Sequence, residues 1–225
     1  MIETNKGSTN PLKICVYGES GVGKTSLIKT LPANWKVLII DLERKTNVLD
    51  DSGMEIIRLQ FESYKDLIDS MPKIIEKAKA FDIVVIDSLS DMRAWLYHAA
   101  KRLVNGDKDV ILDKVEQPIW GFVANKMADF INGVKMLNKP MLFLGRQTLD
   151  ANNRATLDLG SKLSADVPAA MDVVFPLVKN GAGKRAIIIN NERYFTRLHN
   201  EKELMERFSD GVAPADLSII FNFGG

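Results

Sequence analysis

The segment LKICVYGESGVGKTSL, residues 12–27, decides how the rest of this sequence is interpreted. It opens with a short apolar run at residues 12–17, which predicts a buried strand. Residues 18–25 follow and fit the pattern G-x-x-x-x-G-K-[ST], and a helical pattern continues over residues 24–31. A strand, a glycine-rich turn and a helix in this order form the context that a phosphate-binding P-loop requires. The sequence therefore predicts a P-loop.

The residue types of this loop fit the binding of ATP and Mg²⁺. Glycines let the backbone curl until successive amide N–H groups face a phosphate, and the start of a helix adds its positive end. Lys24 is expected to reach the β- and γ-phosphates, and the Thr25 hydroxyl to ligate Mg²⁺. The residues expected to hold the nucleotide are Gly18, Glu19, Ser20, Gly21, Val22, Gly23, Lys24, Thr25 and Ser26.

The remaining apolar runs predict an α/β fold with a mainly parallel sheet. KVLIID (36–41), EIIRLQ (55–60), FDIVVID (81–87) and MLFLG (141–145) read as strands, and helical patterns lie between them. This alternation places helices on both faces of the sheet. Beyond it, residues 172–179 and 184–190 predict a hairpin, and the last apolar run predicts an edge strand, so antiparallel strands join the C-terminal edge. The polar residues 105–117 and 146–165 predict long loops.

Two acidic residues stand where these strands end. Asp87 closes a buried strand, and the carboxyl ends of parallel strands form the ligand-binding edge of such a sheet. We expect Asp87 to help hold Mg²⁺, although a helix cap would also suit its position. Glu43 follows the second strand, where hydrolysis would need a group that activates water. Position alone leaves Glu43 equally open to being a surface residue of a loop.

Composition sets wider bounds. The 225 residues suit one α/β domain, expected over residues 12–225, and the polar residues 1–11 predict a flexible tail. The 30 basic and 29 acidic residues leave a net charge of +1, so the overall charge does not indicate binding to nucleic acid or to a membrane. No apolar run is long enough for a spanning helix. The single cysteine, Cys15, cannot form a disulfide within the chain, which fits a cytoplasmic location.

The order of these motifs resembles the ATPase core of RecA/Rad51-type recombinases. The P-loop, then IIDLE ending at Glu43, then VVIDS with Asp87 and Ser88, occur in that order. The chain also resembles compact phage-encoded AAA/RecA-like ATPases, including Sak4-type single-strand annealing proteins. The resemblance implies a RecA-like sheet order of 3-2-4-5-1, Glu43 as the group that activates water, and a host cytoplasm as location.

The resemblance also implies partners and further site residues. RecA-type cores carry a polar sensor after the fifth strand, for which Gln147 is the choice and Arg146 the alternative. A neighbouring chain often supplies a basic finger in such assemblies, and the candidates here are Lys179, Lys184 and Arg185. Single-stranded DNA is the implied client, contacted through the loop at residues 146–165, and a homo-oligomer is an allowed assembly.

The sequence thus predicts a Mg²⁺-dependent ATPase that acts on single-stranded DNA in annealing, recombination or repair. Two other functions stay open. One is an ATP-dependent protein remodeller or partner switch without DNA binding. The other is an ATP-binding module that does not hydrolyse, in which Glu43 has no catalytic part.

Overall fold

The computed structural model describes residues 11–105, 116–180, 183–198 and 201–221. The predicted N-terminal tail lies outside these residues except for Pro11. The predicted loop at 105–117 lies outside them except for its ends, which belong to helices. The middle of the predicted hairpin turn, residues 181–182, also lies outside.

Strands and helices alternate along the chain as predicted. The strands are β1 Lys13–Gly18, β2 Lys36–Asp41, β3 Glu55–Leu59, β4 Ile83–Asp87, β5 Met141–Leu149, β6 Ala155–Leu157, β7 Val173–Lys179, β8 Arg185–Ile188 and β9 Val212–Pro214. The helices are α1 Lys24–Leu27, α2 Tyr64–Asp69, α3 Met71–Ala78, α4 Leu89–Asn105, α5 Glu116–Lys135, α6 Ser161–Ala169, α7 Glu201–Arg207 and α8 Ser218–Phe221. Short 3₁₀ turns span Ile28–Thr30 and Thr46–Leu49.

The described strands form one sheet in the order β3-β2-β4-β5-β1-β7-β8-β9, with β6 paired to β5. The order 3-2-4-5-1 is confirmed, and so are antiparallel strands at the C-terminal edge, where β8 and β9 lie. The strand β7 differs, because it pairs with β1 in parallel. The parallel part of the sheet therefore extends one strand past the P-loop strand.

Helices and connections cover both faces of this sheet, which explains why its strands are apolar without interruption. In β2, Val37 and Ile39 pack into the hydrophobic cluster on one face, whereas Leu38 and Ile40 pack into the cluster on the other. All of these side chains are fully buried. Such runs leave polar residues only at the strand ends, where the site lies.

The segment at residues 146–165, predicted to be a loop, is structured. The strand β5 continues to Leu149 and pairs with β6, and α6 begins at Ser161. Asp150 makes the turn between the strands, since its Oδ1 accepts from the amides of Asn152 and Arg154, each at 2.9 Å. Aspartate side chains commonly stabilise turns in this way, so the hairpin forms although its residues lack an apolar strand pattern.

The last apolar run was also predicted wrongly, because its described part is the helix α8 and not a strand. The consecutive residues Ile219 and Ile220 are both buried in the same hydrophobic cluster. Adjacent residues of a strand point to opposite faces of a sheet, so a strand could not bury both in one cluster. The edge of the sheet is formed by β9 instead.

Helix boundaries follow local signals closely. The Ser63 hydroxyl accepts from the Asp66 amide at 3.2 Å and caps α2. Pro72 lies in the first turn of α3, where its missing amide costs no helical hydrogen bond, and α3 follows α2 after one residue. Among the described helices, none combines the length and apolar composition that crossing a membrane requires.

Candidate active site

The register of the parallel strands brings the predicted site residues to one edge of the sheet. Asp41 lies beside Asp87 across β2 and β4, and Asp87 lies beside Leu144 of β5. Two residues further along β5, Arg146 lies beside Gly18 of β1, the first residue of the P-loop. The ends of β1, β2, β4 and β5 therefore surround a common space.

The P-loop curls around that space. Gly21 and Gly23 have φ angles of 74° and 101°, which glycine adopts without strain. The Lys24 ammonium turns back and donates to the carbonyls of Gly18 and Glu19, at 3.0 and 2.9 Å. The helix α1 has only four residues before a 3₁₀ turn, so it contributes little macrodipole. Loop amides and Lys24 are the main features suited to phosphate.

Thr25 and Asp87 are in direct contact. The Thr25 hydroxyl donates to Asp87 Oδ2 at 2.7 Å, and Asp87 is 2% exposed. Burial raises the pKa of Asp87 from 3.8 to about 6, an effect that the Thr25 hydrogen bond opposes and the nearby Glu43 carboxylate increases. A hydroxyl beside a buried carboxylate is a set of hard oxygen ligands, which suits Mg²⁺.

Glu43 faces the same space from the turn after β2. Its amide donates to the Asp87 carbonyl at 3.1 Å, which ties the turn to β4. Its carboxylate accepts from Lys45 Nζ at 2.9 Å and is 21% exposed. The buried Asp41 secures this turn, because its carboxylate accepts from the Arg44 amide and the Thr46 hydroxyl, both at 2.8 Å.

An open cavity of about 340 Å³ joins these groups. It is lined by P-loop residues between Ser20 and Ser26, by Glu43 and Lys45, by Ser88, and by Arg146. Burial lowers the pKa of Lys24, and the carboxylates of Glu43 and Asp87 oppose that effect. The cavity therefore combines amide donors and cations with the Glu43 carboxylate, and one of its lining residues, Thr25, is hydrogen-bonded to Asp87.

Gln147, the predicted sensor residue, is not among the described residues that line this cavity. Gln147 lines a smaller neighbouring cavity of about 160 Å³, together with the first part of the P-loop, Lys179 and Tyr194. Its side-chain amide donates to Glu19 Oε1 at 3.3 Å. The structure thus brings Gln147 against the loop, and it brings Arg146, the alternative, into the larger cavity.

Of the candidate finger residues, Arg185 contacts the P-loop of its own chain. Its guanidinium lies 3.5 Å from the Gly23 carbonyl oxygen. Lys179 lines the smaller cavity, and the Lys184 amide donates to the Asn180 side chain at 2.9 Å in the hairpin.

Arg185 and the positive φ of Gly23 lead to a prediction about Gly23→Ala. A Cβ atom at Gly23 would lie 2.7 Å from the Arg185 guanidinium, at a φ of 101° that alanine rarely adopts. We expect a loss of about 1–3 kcal/mol in the free energy of unfolding and a weaker ATP affinity by about tenfold or more. Denaturant unfolding and nucleotide titration measure both effects.

The control for Gly23→Ala is Gly121→Ala, in helix α5, where a Cβ atom would meet nothing within 4 Å. This change should leave stability unchanged or raise it by about 0.5–1 kcal/mol, since alanine favours helices. Wild-type ATP affinity in the Gly23→Ala protein would contradict the expected shape of the loop.

The raised pKa of Asp87 predicts a pH dependence of stability without nucleotide and Mg²⁺. The folded protein holds the Asp87 proton more tightly than the unfolded chain does. The free energy of unfolding should therefore fall as pH rises from about 4 to 6, and the loss should remain above that range. Asp87→Asn should remove this loss and stabilise the protein at pH 7 by about 2–3 kcal/mol.

Chemical denaturation between pH 4 and 8 measures this effect, with Asp69→Asn as the control. Asp69 lies on the surface of α2, where it pairs with Lys65, and its side chain is 60% exposed. Its replacement should leave the pH profile unchanged. Equal profiles for wild type and Asp87→Asn would show that the folded Asp87 carboxyl is not perturbed.

Comparison with known protein families agrees with this geometry. Residues 10–197, which include the P-loop, Glu43 and Asp87, match the AAA domain family. The chain belongs to this family. No curated protein matches the chain. Nucleotide binding by this AAA domain follows from its membership together with the P-loop.

Sequence reasoning did not single out some groups that line or border the AAA domain's cavity. Lys45 lies two residues after Glu43, yet a lysine in a polar turn carries no distinguishing pattern. Asp91 lies in the first turn of α4 and accepts from Ser88 and Arg146. Its distance along the chain from Arg146 hides this pairing, although an acidic residue so soon after VVIDS was a usable signal.

Proposed function

We propose that this AAA domain binds ATP with Mg²⁺ and hydrolyses it to ADP and phosphate. The observation that carries the proposal is the cavity lined by the P-loop, Glu43 and Ser88, in which the lining residue Thr25 donates to Asp87. Phosphate donors, oxygen ligands for a cation and a carboxylate near attacking water are the parts that phosphoryl transfer requires.

In this proposal Lys24 and the loop amides hold the phosphates. Lys24 exchanges its present acceptors, the carbonyls of Gly18 and Glu19, for phosphate oxygens. Thr25 and Asp87 would hold Mg²⁺, which would neutralise charge that develops on the phosphates. Burial of Asp87 strengthens its attraction for a cation, because a charge is screened less in the protein interior than in water.

Glu43 is the proposed group that activates water. The water oxygen forms a bond to the γ-phosphorus, the bond to the β–γ bridging oxygen breaks, and Glu43 accepts the proton. One oxygen of the Glu43 carboxylate accepts from Lys45 Nζ at 2.9 Å. Phosphate that attracts Lys45 would free this oxygen to accept a hydrogen bond from the attacking water.

We propose single-stranded DNA as the client of hydrolysis, with the structured segment at residues 146–165 as the contact. Its first residues, Arg146 and Gln147, border the two cavities beside the P-loop, so DNA on this segment would be linked to the nucleotide. Arg154 is engaged by Asp150 at 3.1 Å, and phosphate would have to displace that carboxylate. The alternative client of hydrolysis is a protein that this domain would remodel or switch.

An ATPase assay combined with oligonucleotide binding tests both parts. Phosphate release is measured with Mg²⁺, with and without a single-stranded oligonucleotide, and fluorescence anisotropy of the labelled oligonucleotide is measured with and without ATP. Binding that depends on ATP and is weakened by salt supports the DNA client. Turnover that ignores the oligonucleotide, with no anisotropy change at low salt, would remove the DNA client and leave the ATPase.

A further inference from the structure

Asp41 is the last residue of β2 and is fully buried. It lies beside Asp87 across the sheet, yet it is not among the described residues that line the cavity of about 340 Å³. Three neutral groups donate to its carboxylate. The Arg44 amide donates to Oδ1 at 2.8 Å, and Oδ2 accepts from the Thr46 hydroxyl at 2.8 Å and from the Gln60 side-chain amide at 2.9 Å. Both oxygens therefore connect the end of β2 to the chain that follows it.

The turn after β2 is held from two sides. On one side, the Asp87 carbonyl accepts from the amides of Leu42 and Glu43, at 2.6 and 3.1 Å. On the other side, Asp41 accepts from the next amide along the chain, that of Arg44. The backbone of Glu43 is thus fixed through its own amide and through the amide that follows it. Movement at Glu43 is left to its side chain.

Arg44 has a backbone conformation that needs this support. Its φ is 57°, in the left-handed region that a residue with a side chain adopts only at a cost. The amide bond to Asp41 opposes a return to the ordinary region, and so does the guanidinium, which donates to the Phe61 carbonyl at 2.6 Å. Glu43 and Lys45, which flank Arg44, both line the cavity. The shape of the turn therefore decides where the Glu43 carboxylate lies.

We infer that Asp41 is a positioning residue for ATP hydrolysis, which holds the turn in the shape that presents the Glu43 carboxylate to the attacking water. The inference rests on the proposed function, because it concerns the same reaction and the same base. A general base must lie within hydrogen-bond reach of the proton that it accepts. A displacement of about 1 Å can cost a hundredfold in rate, so a loosened turn costs turnover before it costs nucleotide binding.

The contrasting role for Asp41 is electrostatic. Burial raises the pKa of Asp87, and the charge of Asp41 adds to that effect. In this role Asp41 would strengthen the attraction of the site for Mg²⁺. The two roles differ in the quantity that changes when the charge of Asp41 is removed. Positioning affects kcat at saturating Mg²⁺ and acts only through Glu43, whereas the electrostatic role changes the Mg²⁺ concentration that gives half of the maximal rate.

The experiment measures phosphate release and the binding of a fluorescent ATP analogue, each over a range of Mg²⁺ concentrations, for wild type and Asp41→Asn. Asparagine keeps the shape of the side chain, but an NH₂ group replaces one acceptor oxygen, so at least one of the three donors loses its acceptor. We expect kcat to fall by about ten- to a hundredfold. ATP affinity and the half-maximal Mg²⁺ concentration should stay within about twofold of wild type.

A double-mutant cycle with Glu43→Gln shows whether Asp41 acts through Glu43. Once the base is gone, the position of this side chain no longer matters. Asp41→Asn should therefore lower the remaining kcat by less than about threefold. Because the remaining turnover is slow, it is followed with ATP labelled at the γ-phosphate and at high protein concentration.

The matched control is Asp82→Asn. The Asp82 carboxylate also accepts from a backbone amide of β2, that of Lys36 at 2.7 Å, but at the opposite end of the strand and at an exposed position. The substitution removes the same charge and the same kind of hydrogen bond away from the cavity. The values of kcat, ATP affinity and half-maximal Mg²⁺ concentration should equal those of wild type.

Three results for Asp41→Asn would overturn the inference. Wild-type kcat shows that the Asp41 carboxylate is not needed for turnover. A several-fold higher half-maximal Mg²⁺ concentration, with full kcat at saturation, identifies the electrostatic role. An equal loss of kcat with and without the Glu43 carboxylate shows that Asp41 acts through another group.

Gln60→Ala carries the test if Asp41→Asn does not fold. Gln60 is exposed, and its replacement removes one donor from the Asp41 carboxylate. We expect kcat to fall about threefold or more at unchanged ATP affinity, since a hydrogen bond to a charged group is stronger than one between neutral groups. Unchanged kcat in this variant contradicts the inference. Wild type that binds ATP without turnover contradicts the proposed ATPase, and the inference falls with it, whereas equal turnover in wild type and the Asp41 variant contradicts the inference alone.

Discussion

Replacing Glu43 with glutamine is expected to abolish ATP turnover while nucleotide affinity stays close to that of wild type. Glutamine keeps the size of the side chain and can still accept from Lys45, but it cannot take a proton from water. General-base catalysis contributes about 10²–10⁴ to a rate, so kcat should fall by about a thousandfold. Phosphate release and titration with a fluorescent nucleotide on the same preparation measure the two quantities separately.

The control for this change is Glu55→Gln. Glu55 opens β3 at the opposite edge of the sheet and pairs with Lys36 at 2.9 Å on the surface. The substitution removes the same charge far from the cavity, and an exposed ion pair contributes little. Its kcat should equal that of wild type. If the Glu43→Gln protein kept its turnover, another group would be the base, and the proposed role of Glu43 would be wrong.

Replacing Lys24 with alanine should have the second large effect, and on binding as well as on turnover. The Lys24 ammonium donates to two carbonyls of the P-loop, and it is partly buried, where its charge is less screened than at the surface. Without it, we expect ATP affinity to fall by about a hundredfold or more, and phosphate release to fall below detection.

Lys29→Ala separates this effect from a general loss of positive charge. Lys29 lies in the 3₁₀ turn that continues α1, and its ammonium pairs with Asp51 at 2.5 Å on the surface. Its removal should leave nucleotide affinity unchanged. Lys24→Ala should also unfold near the wild-type denaturant midpoint. Unchanged ATP affinity in a folded Lys24→Ala protein would show that the nucleotide does not lie in the P-loop.

Several predictions from sequence succeeded because their signals are local. A short apolar run such as residues 36–41 needs helices on both faces to be buried, and that requirement indicates a parallel sheet whatever its neighbours are. Helix boundaries in the structure follow local signals of the same kind, since Ser63 caps α2 through a contact three residues away and Pro72 lies in the first turn of α3. Such signals depend on residues within one turn of chain.

The failed predictions involve contacts that no local pattern contains. The segment at residues 146–165 was too polar to indicate a strand, yet β6 forms because its residues pair with β5 and bury Leu157 against Gly145. The end of the chain has the composition of a strand, but Ile219 and Ile220 are both drawn into one cluster. In each case a distant surface overrides the local preference.

The sequence by itself determined that this chain carries a P-loop on a parallel sheet, because glycine conformation, helix starts and buried strands are encoded within a few residues. It also placed Glu43 and Asp87 at strand ends. Only the tertiary structure decided which of Arg146 and Gln147 enters the larger cavity. That choice depends on the register that sets Arg146 beside Gly18, and on Asp91, a partner 55 positions away in the chain.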